Sequence, residues 1–318
     1  MAPAKPTGND NHYLYGPVPS RRLGFSLGVD ILPFKTCSMN CVYCQLGSQP
    51  KTTVRRREFF PAKDILTQIR AALQGPQRID AVTFSGSGEP TLHSGIRKII
   101  RGIKRTTDIP VVILTNSSCL INKKGREALF EADIVVPSLD AATRPVFEKI
   151  NRPHPSLSVE KIIAGLVRFR REYKGRIWLE IMLVRGMNDG PSHLKKMKEA
   201  VARIHPDKVQ LNTVVRPPAE TSARPLSLPE LDRIKAYFGE SAEIIADFKA
   251  KDQSAAAGDI SEAILATASR RPATAREISL SLGKPVGMIS KHLLRLLREG
   301  KVRSVLHKGS TYYEKNGR

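Results

Sequence analysis

Six short β-branched runs, each separated from the next by a stretch long enough for a helix, occupy roughly residues 25 to 214 of this 318-residue chain. The strands are expected at "FSLGVDIL", around Val82, and at 110–115, 133–139, 176–184 and 208–214. Between them, "AKDILTQIRAALQG" puts Ile65, Leu66, Ile69 and Leu73 on one helical face. Further helices are expected near 94–105, 122–131, 158–173 and 191–204. Strands joined through helices pair in parallel and are covered outside by those helices. Six strands are fewer than the eight that close a TIM barrel, so an open partial (β/α)6 barrel is expected.

A segment at 216–250 adds the helix "SLPELDRIKAYFG" and a short apolar run around Ile244 and Ile245. "KDQSAAAGD" then has the composition of a linker. The expected domains are therefore 1–250, a linker at 251–258, and a tail at 259–318. In the tail, "ISEAILATAS", "TAREISLSLG" and "VGMISKHLLRLLREG" have helical spacing, followed by "KVRSVLH", the turn "KGS" and "TYYEK". Helix, helix, turn, helix, hairpin is the order of a winged helix-turn-helix, and "GKP" supplies the glycine of its turn. Its last helix is expected to turn Ser290, Lys291, Arg295 and Arg298 outward, with Ile289, Leu293 and Leu296 or Leu297 inward.

"CSMNCVYC" places Cys37, Cys41 and Cys44, three of the chain's four cysteines, within eight positions. Zinc sites usually take two separated pairs of ligands; here no second pair exists, and His93, His154, His193 and His205 are scattered far downstream. Three thiolates without a fourth ligand suit an iron-sulfur cubane with one open iron. Cys119 stands alone, as a thiol facing substrate or as a small buried residue.

Polar residues follow several strands. "DAVTFSGSGEPTLH" ends a strand in a glycine-rich turn carrying Gly86, Ser87, Gly88 and Glu89. "PVVILTNSS" ends at Thr115 and Asn116, "ADIVVPSLDA" at Ser138 and Asp140, and "QLNTVVRPPAE" carries Asn212 and Arg216. Such residues either line a site at the strand ends or cap the next helix.

The spacing CxxxCxxC with Tyr43 before the last cysteine, followed by "SGSGEPTLH", resembles the radical S-adenosylmethionine (radical SAM) superfamily. The resemblance covers about residues 20 to 215. It implies the open barrel, a 4Fe-4S cluster on Cys37, Cys41 and Cys44, and S-adenosyl-L-methionine chelating the open iron. Electrons would come from a reductant such as flavodoxin or ferredoxin, and cleavage of the sulfonium would yield a 5′-deoxyadenosyl radical. Tyr43 would lie near the adenine, and Gly86, Ser87, Gly88 and Glu89 would hold the cosubstrate's amino group. Asn116, Ser138 and Asp140 would approach its carboxylate or ribose, and Asn212 would face cofactor or substrate. "YGPVPSRRLGFSLGVD" adds a partial resemblance to the iron-sulfur oxidoreductases related to wyosine-pathway tRNA synthetases. Those hold a second cluster on further cysteines, which this chain lacks.

Charge bears on the partner. Lys and Arg outnumber Asp and Glu by 52 to 30, a formal +22 with pI near 10.1; the tail alone has 12 against 5. A polyanion is the expected partner, tRNA or another RNA, or DNA through the tail. Arg21, Arg22, Arg55, Arg56 and Arg57 are candidates for phosphate contacts, or for a solvated loop. Two other readings fit the residues: a radical enzyme acting on a protein, and a DNA-binding redox sensor without catalysis. No apolar run reaches the ~20 residues of a membrane span, and the N-terminus lacks a basic-then-apolar leader, so a cytoplasmic protein is expected.

Overall fold

The computed structural model describes residues 12–20, 22–48, 51–245 and 260–316; the expected linker lies outside them. The chain opens with β1 (Leu14–Ser20) and β2 (Gly24–Val29), an antiparallel pair. There follow α1 (Ala62–Leu73), β3 (Ala81–Phe84), α2 (Ile96–Lys104), β4 (Val111–Thr115), α3 (Lys123–Glu127) and β5 (Ile134–Pro137). Then come α4 (Arg144–Asn151), α5 (Val159–Glu172), β6 (Arg176–Leu183), α6 (Pro191–Ile204), β7 (Lys208–Thr213), α7 (Leu228–Phe238) and β8 (Ala242–Ile244). The eight strands lie in chain order in one sheet, parallel from β2 to β8. β1 and β8 end the row without pairing to each other, so the barrel is open as expected. The six expected strands are β2 to β7; β1 and β8 extend the sheet at its two edges.

Alternation along the strands makes two apolar layers. On β4, Val111 and Ile113 face outward into the main core with Phe84, Ile99 and Leu166, whereas Val112 and Leu114 face inward with Ala81, Ile134, Val136 and Trp178. The inward cluster fills the barrel, and polar side chains take over toward the C-terminal strand ends. Helix starts are chemically marked: Ser158 caps α5 by accepting the Lys161 N–H at 3.3 Å, and Ser227 with Glu230 forms a capping box on α7.

Two helices depart from the sequence reading. The one expected at 122–131 shrinks to α3 behind a 3₁₀ turn at Ser118–Ile121, because Ser117 takes a left-handed turn (φ 69°) that redirects the chain. α4 was not foreseen; its apolar contribution is confined to Val146, Phe147 and Ile150, too short a pattern to register.

Beyond the gap, α8 (Ile260–Arg270), β9 (Ala273–Thr274), α9 (Ala275–Leu282), α10 (Val286–Arg298), β10 (Val302–His307) and β11 (Ser310–Lys315) form a C-terminal unit with sheet order β10-β11-β9. Its own core is built on Ile264, Ile278, Ile289, Leu293 and Leu296. Gly283, at φ 58°, closes α9 in a conformation costly for other residues. The unit docks on the barrel: Ser281 Oγ donates to the Pro17 carbonyl at 2.9 Å and Tyr312 Oη to the Val215 carbonyl at 3.0 Å.

Candidate active site

A cavity of about 400 Å³ opens at the C-terminal ends of the parallel strands, with Cys37, Cys41 and Cys44 together on its wall. The loop that carries them is tied down on both sides. Thr36 bridges to Gly88, Asn40 N donates to the Asn151 carbonyl at 3.0 Å, and Val42 N to the Ile150 carbonyl at 2.9 Å. The unforeseen α4 thus anchors the loop with its last turn. Amides reach two of the sulfurs: Asn116 Nδ2 lies 3.4 Å from Cys37 Sγ, and Asn151 Nδ2 lies 3.4 Å from Cys41 Sγ.

Cys37 and Cys41 sit in an environment hostile to their ionised form. Burial, then the nearby Glu89 carboxylate, pushes Cys37 up to about 12; burial and Asp140 push Cys41 well above the ordinary thiol range. Becoming thiolates therefore requires a cation among them. Among the described residues no three His, Cys, Asp or Glu side chains converge on a single ion. The donor set is soft and threefold, which fits a cluster with one open iron better than a four-ligand zinc site.

The glycine-rich turn divides its residues between two tasks. Gly88 lies where a Cβ would sit 1.9 Å from the Thr36 carbonyl oxygen, so only glycine lets the turn meet the cysteine loop. Gly86 and Gly88 line the cavity. Ser87 does not: its N and Oγ donate to Asp30 at 3.1 and 2.6 Å. Glu89 lines the cavity and is 2% exposed. Its Oε1 accepts from Thr91 N (3.0 Å), Thr91 Oγ1 (2.5 Å) and Thr115 Oγ1 (2.7 Å), its Oε2 from Asn116 N (2.6 Å). Burial raises its pKa, and those donors oppose the rise.

Asn116 and Ser138 reach the cavity from the ends of β4 and β5. Asp140 stays behind the wall. It accepts from Tyr43 Oη, from Asn151 Nδ2 at 2.6 Å and from Met182 N at 2.9 Å, so it positions Tyr43, which does face the cavity. Asn212 lies within β7 rather than beyond it, with Nδ2 donating to Glu180 Oε1 at 3.3 Å. Cys119 is the small buried residue, its thiol pushed up to about 11 by burial. His93 is fully buried, with Nε2 at 2.9 Å from the Phe60 carbonyl and Nδ1 accepting Gly95 N at 3.1 Å.

The arginines scatter. Arg22 lines the cavity, paired with Glu180 at 2.5 Å and Gln210 at 2.6 Å. Arg56 donates to the Thr91 carbonyl at 2.8 Å, Arg57 stacks 4.6 Å over Phe59, and Arg55 is exposed; Arg21 lies outside the described residues. Sequence reasoning missed Asp30, Glu180, and the C-terminal unit's Arg270, Arg271 and Glu277, all but Asp30 on the cavity wall. Asp30 ends the "FSLGVDIL" strand and offered the same polar-tip signal as the others.

The family model of the radical SAM superfamily matches residues 31–199, a span holding all three cavity cysteines and the glycine-rich turn. The chain belongs to the radical SAM superfamily. Radical SAM enzymes take a 4Fe-4S cluster and S-adenosylmethionine, and these are the cofactors of this chain. The chain is 34% identical over 310 residues to a UPF0026 protein of Methanocaldococcus jannaschii, covering 95% of each. It is 38% identical over 306 residues to a protein of Brachyspira hyodysenteriae named GTPase Obg, covering 95% of this chain and 45% of that one. The chain thus spans less than half of that relative, and its own sequence has no Gly-Lys-Ser or Gly-Lys-Thr of a phosphate-binding P-loop. A dual-specificity RNA methyltransferase of Oleidesulfovibrio alaskensis is 25% identical over 214 residues, covering 63% of this chain and 57% of that protein. A radical SAM methyltransferase structure from Sphaerobacter thermophilus shares the fold, with TM-score 0.55 and 17% identity over 70% of this chain and 67% of that one.

Proposed function

We propose that this radical SAM enzyme modifies an RNA, tRNA or another. The observation that carries the radical half is the placement of Cys37, Cys41 and Cys44, without a fourth ligand, on one cavity wall at the strand ends. Those three would hold the cluster, leaving one iron for S-adenosylmethionine. Bound there and reduced by a donor such as flavodoxin or ferredoxin, a cluster would supply the one electron for reductive cleavage of S-adenosylmethionine to methionine and a 5′-deoxyadenosyl radical.

The chain's own residues would do the rest. Gly86 and Gly88 bring backbone close to the cosubstrate, and Glu89, braced by four donors, presents a fixed carboxylate toward its amino group. Tyr43, held by Asp140, offers a ring toward the adenine. Asn116, Ser138 and Asn212 add amide and hydroxyl groups on the remaining wall. Ser87 and Asp140 act through their neighbours.

The RNA half is supported by the likeness to an RNA methyltransferase, by the +22 charge, and by the C-terminal unit. We read residues 259–318 as a winged helix-turn-helix joined by the linker 251–258 to a radical-generating domain at 1–250. On its α10, Lys291, Arg295 and Arg298 are exposed and Ser290 is half-buried, a basic face suited to phosphates.

The test is anaerobic: reconstitute the iron, reduce, add S-adenosylmethionine and quantify 5′-deoxyadenosine with and without bulk tRNA. Nucleoside formation stimulated by tRNA is the expected result. A fully loaded cluster that yields no nucleoside overturns the radical half; formation indifferent to every RNA overturns the other.

A further inference from the structure

Four arginines line the cavity: Arg22, Arg216, Arg270 and Arg271. Three are matched. Arg22 meets Glu180 at 2.5 Å, Arg216 meets Glu277 at 2.7 Å, and Arg270 meets Asp30 at 3.3 Å. Arg271 is not. Its Nε and Nη2 are buried and donate to no described residue. Glu277, the carboxylate whose charge acts on it, is already engaged: its Oε1 accepts from Arg216 and its Oε2 from Thr274 N at 2.9 Å. Burial, and then the neighbouring Arg216, push Arg271 down to about 10. A guanidinium whose Nε and Nη2 are buried with no hydrogen-bond partner, and whose neighbouring carboxylate Glu277 is engaged elsewhere, is not kept for stability.

The backbone around it is rigidly held. The Pro272 carbonyl accepts from Arg216 Nε at 3.2 Å, Ala273 and Thr274 pair with Tyr313 and Tyr312, and Arg270 reaches Asp30, which receives both Ser87 hydrogen bonds. The charges that act on Arg271 are those of Arg216, Glu277 and Tyr15, whereas Cys37 and Cys41 feel Glu89 and Asp140. Arg271 thus lies on the part of the cavity wall that the C-terminal unit contributes, whereas the cysteines come from the barrel's own loop.

We propose that Arg271 is a substrate-binding residue whose guanidinium receives an oxyanion of the substrate, so that the C-terminal unit completes the active site instead of only tethering a partner. That the oxyanion is a phosphate rests on the RNA reading above; that Arg271 binds an anion does not. Guanidinium geometry matches phosphate or carboxylate with two parallel N–H bonds.

The experiment uses the full chain, reconstituted and loaded with S-adenosylmethionine. Binding of uridine 5′-monophosphate and of uridine is measured for wild type, Arg271→Gln, Arg271→Lys and the exposed control Arg276→Gln, together with melting temperature and S-adenosylmethionine affinity. In wild type the phosphate strengthens binding about tenfold or more, a typical worth for a charge-assisted contact. Arg271→Gln loses that advantage, Arg271→Lys keeps part of it, and Arg276→Gln keeps all of it. Melting of Arg271→Gln is unchanged or higher, because an unpaired buried cation has been removed. Four outcomes overturn the proposal: no phosphate advantage in wild type, an advantage that survives Arg271→Gln, a melting point several degrees lower in both Arg271 variants, or S-adenosylmethionine affinity lost while the advantage remains. If tRNA fails to stimulate nucleoside formation but the Arg271-dependent advantage persists, the RNA reading falls and the anion site stands.

Discussion

On the cysteine side of the cavity, Cys37 and Cys41 share their surroundings with the buried carboxylates of Glu89 and Asp140; elsewhere on the wall, four arginines are set against the carboxylates of Glu180, Glu277 and, behind the wall, Asp30. The first side is built within the barrel and saturated with neutral donors, Glu89 by four and Asp140 by three. What it lacks is a cation. The second is assembled across the interface with the C-terminal unit and lacks an anion. A cofactor that brings cationic iron answers the first deficit, and an anionic substrate answers the second, so the two sides differ as a cofactor seat differs from a substrate seat.

The largest expected effect is on the cysteine side. Cys41→Ala leaves two thiols for a cluster that needs three, and iron and sulfide content after reconstitution should fall to background. Glu89→Ala comes next: it strands four donors in a buried place, and at ~1 kcal/mol for each unmet donor it should cost about 3–4 kcal/mol, read from urea unfolding against wild type at equal cofactor loading. If the loss is below 1 kcal/mol, the donors have found water and this side is less dry than described.

Tyr43→Phe removes one of Asp140's three donors and should cost about 1 kcal/mol while weakening S-adenosylmethionine binding. Asp140→Asn, which keeps a partner for the tyrosine, should cost less in binding than Tyr43→Ala.

For the basic face, replacing Lys291 and Arg298 with alanine should weaken RNA binding evenly across sequences. The slope of log affinity against log salt should shrink by about 0.7 per lost phosphate contact. An unchanged slope would leave α10 out of the interface.

The smallest effect is a pH dependence. His93 is pulled below the ordinary histidine value chiefly by burial, and its Nδ1 already accepts the Gly95 N–H. The unfolded chain binds a proton there more readily than the folded one. Stability from this group is therefore complete above about 6.5 and declines as pH falls through that value toward the folded pKa. His93→Gln should flatten that decline in pH-dependent unfolding.

How much of this could be read from the sequence follows from locality. β2 to β7 were legible because each carries its own apolar run, and Glu89, Asn116 and Ser138 because each stands at a strand's polar tip. The cysteines were legible because eight residues contain them all. β1 was not, since an edge strand of mixed composition has only its neighbour to define it, and β8 showed only as the short apolar run around Ile244 and Ile245. Ser87 and Asp140 were grouped with the cavity residues because spacing cannot tell which way a tip residue turns; Asp30 and Tyr43 decide that. Arg270 and Arg271 were invisible for a stronger reason. Arg270 meets Asp30 and Tyr15, and Arg271, just past the end of α8, sits within reach of the charges of Arg216 and Glu277; nothing in a helix's own periodicity says what its end will meet.

The central claim is that three cysteines hold a cluster with one iron open to S-adenosylmethionine. Electron paramagnetic resonance of the reduced, reconstituted protein tests it most directly. The account predicts a 4Fe-4S signal whose g-values shift on titration with S-adenosylmethionine and are absent from Cys41→Ala. A fully loaded cluster whose spectrum ignores S-adenosylmethionine, or a reconstituted protein that retains zinc and no iron, would contradict it.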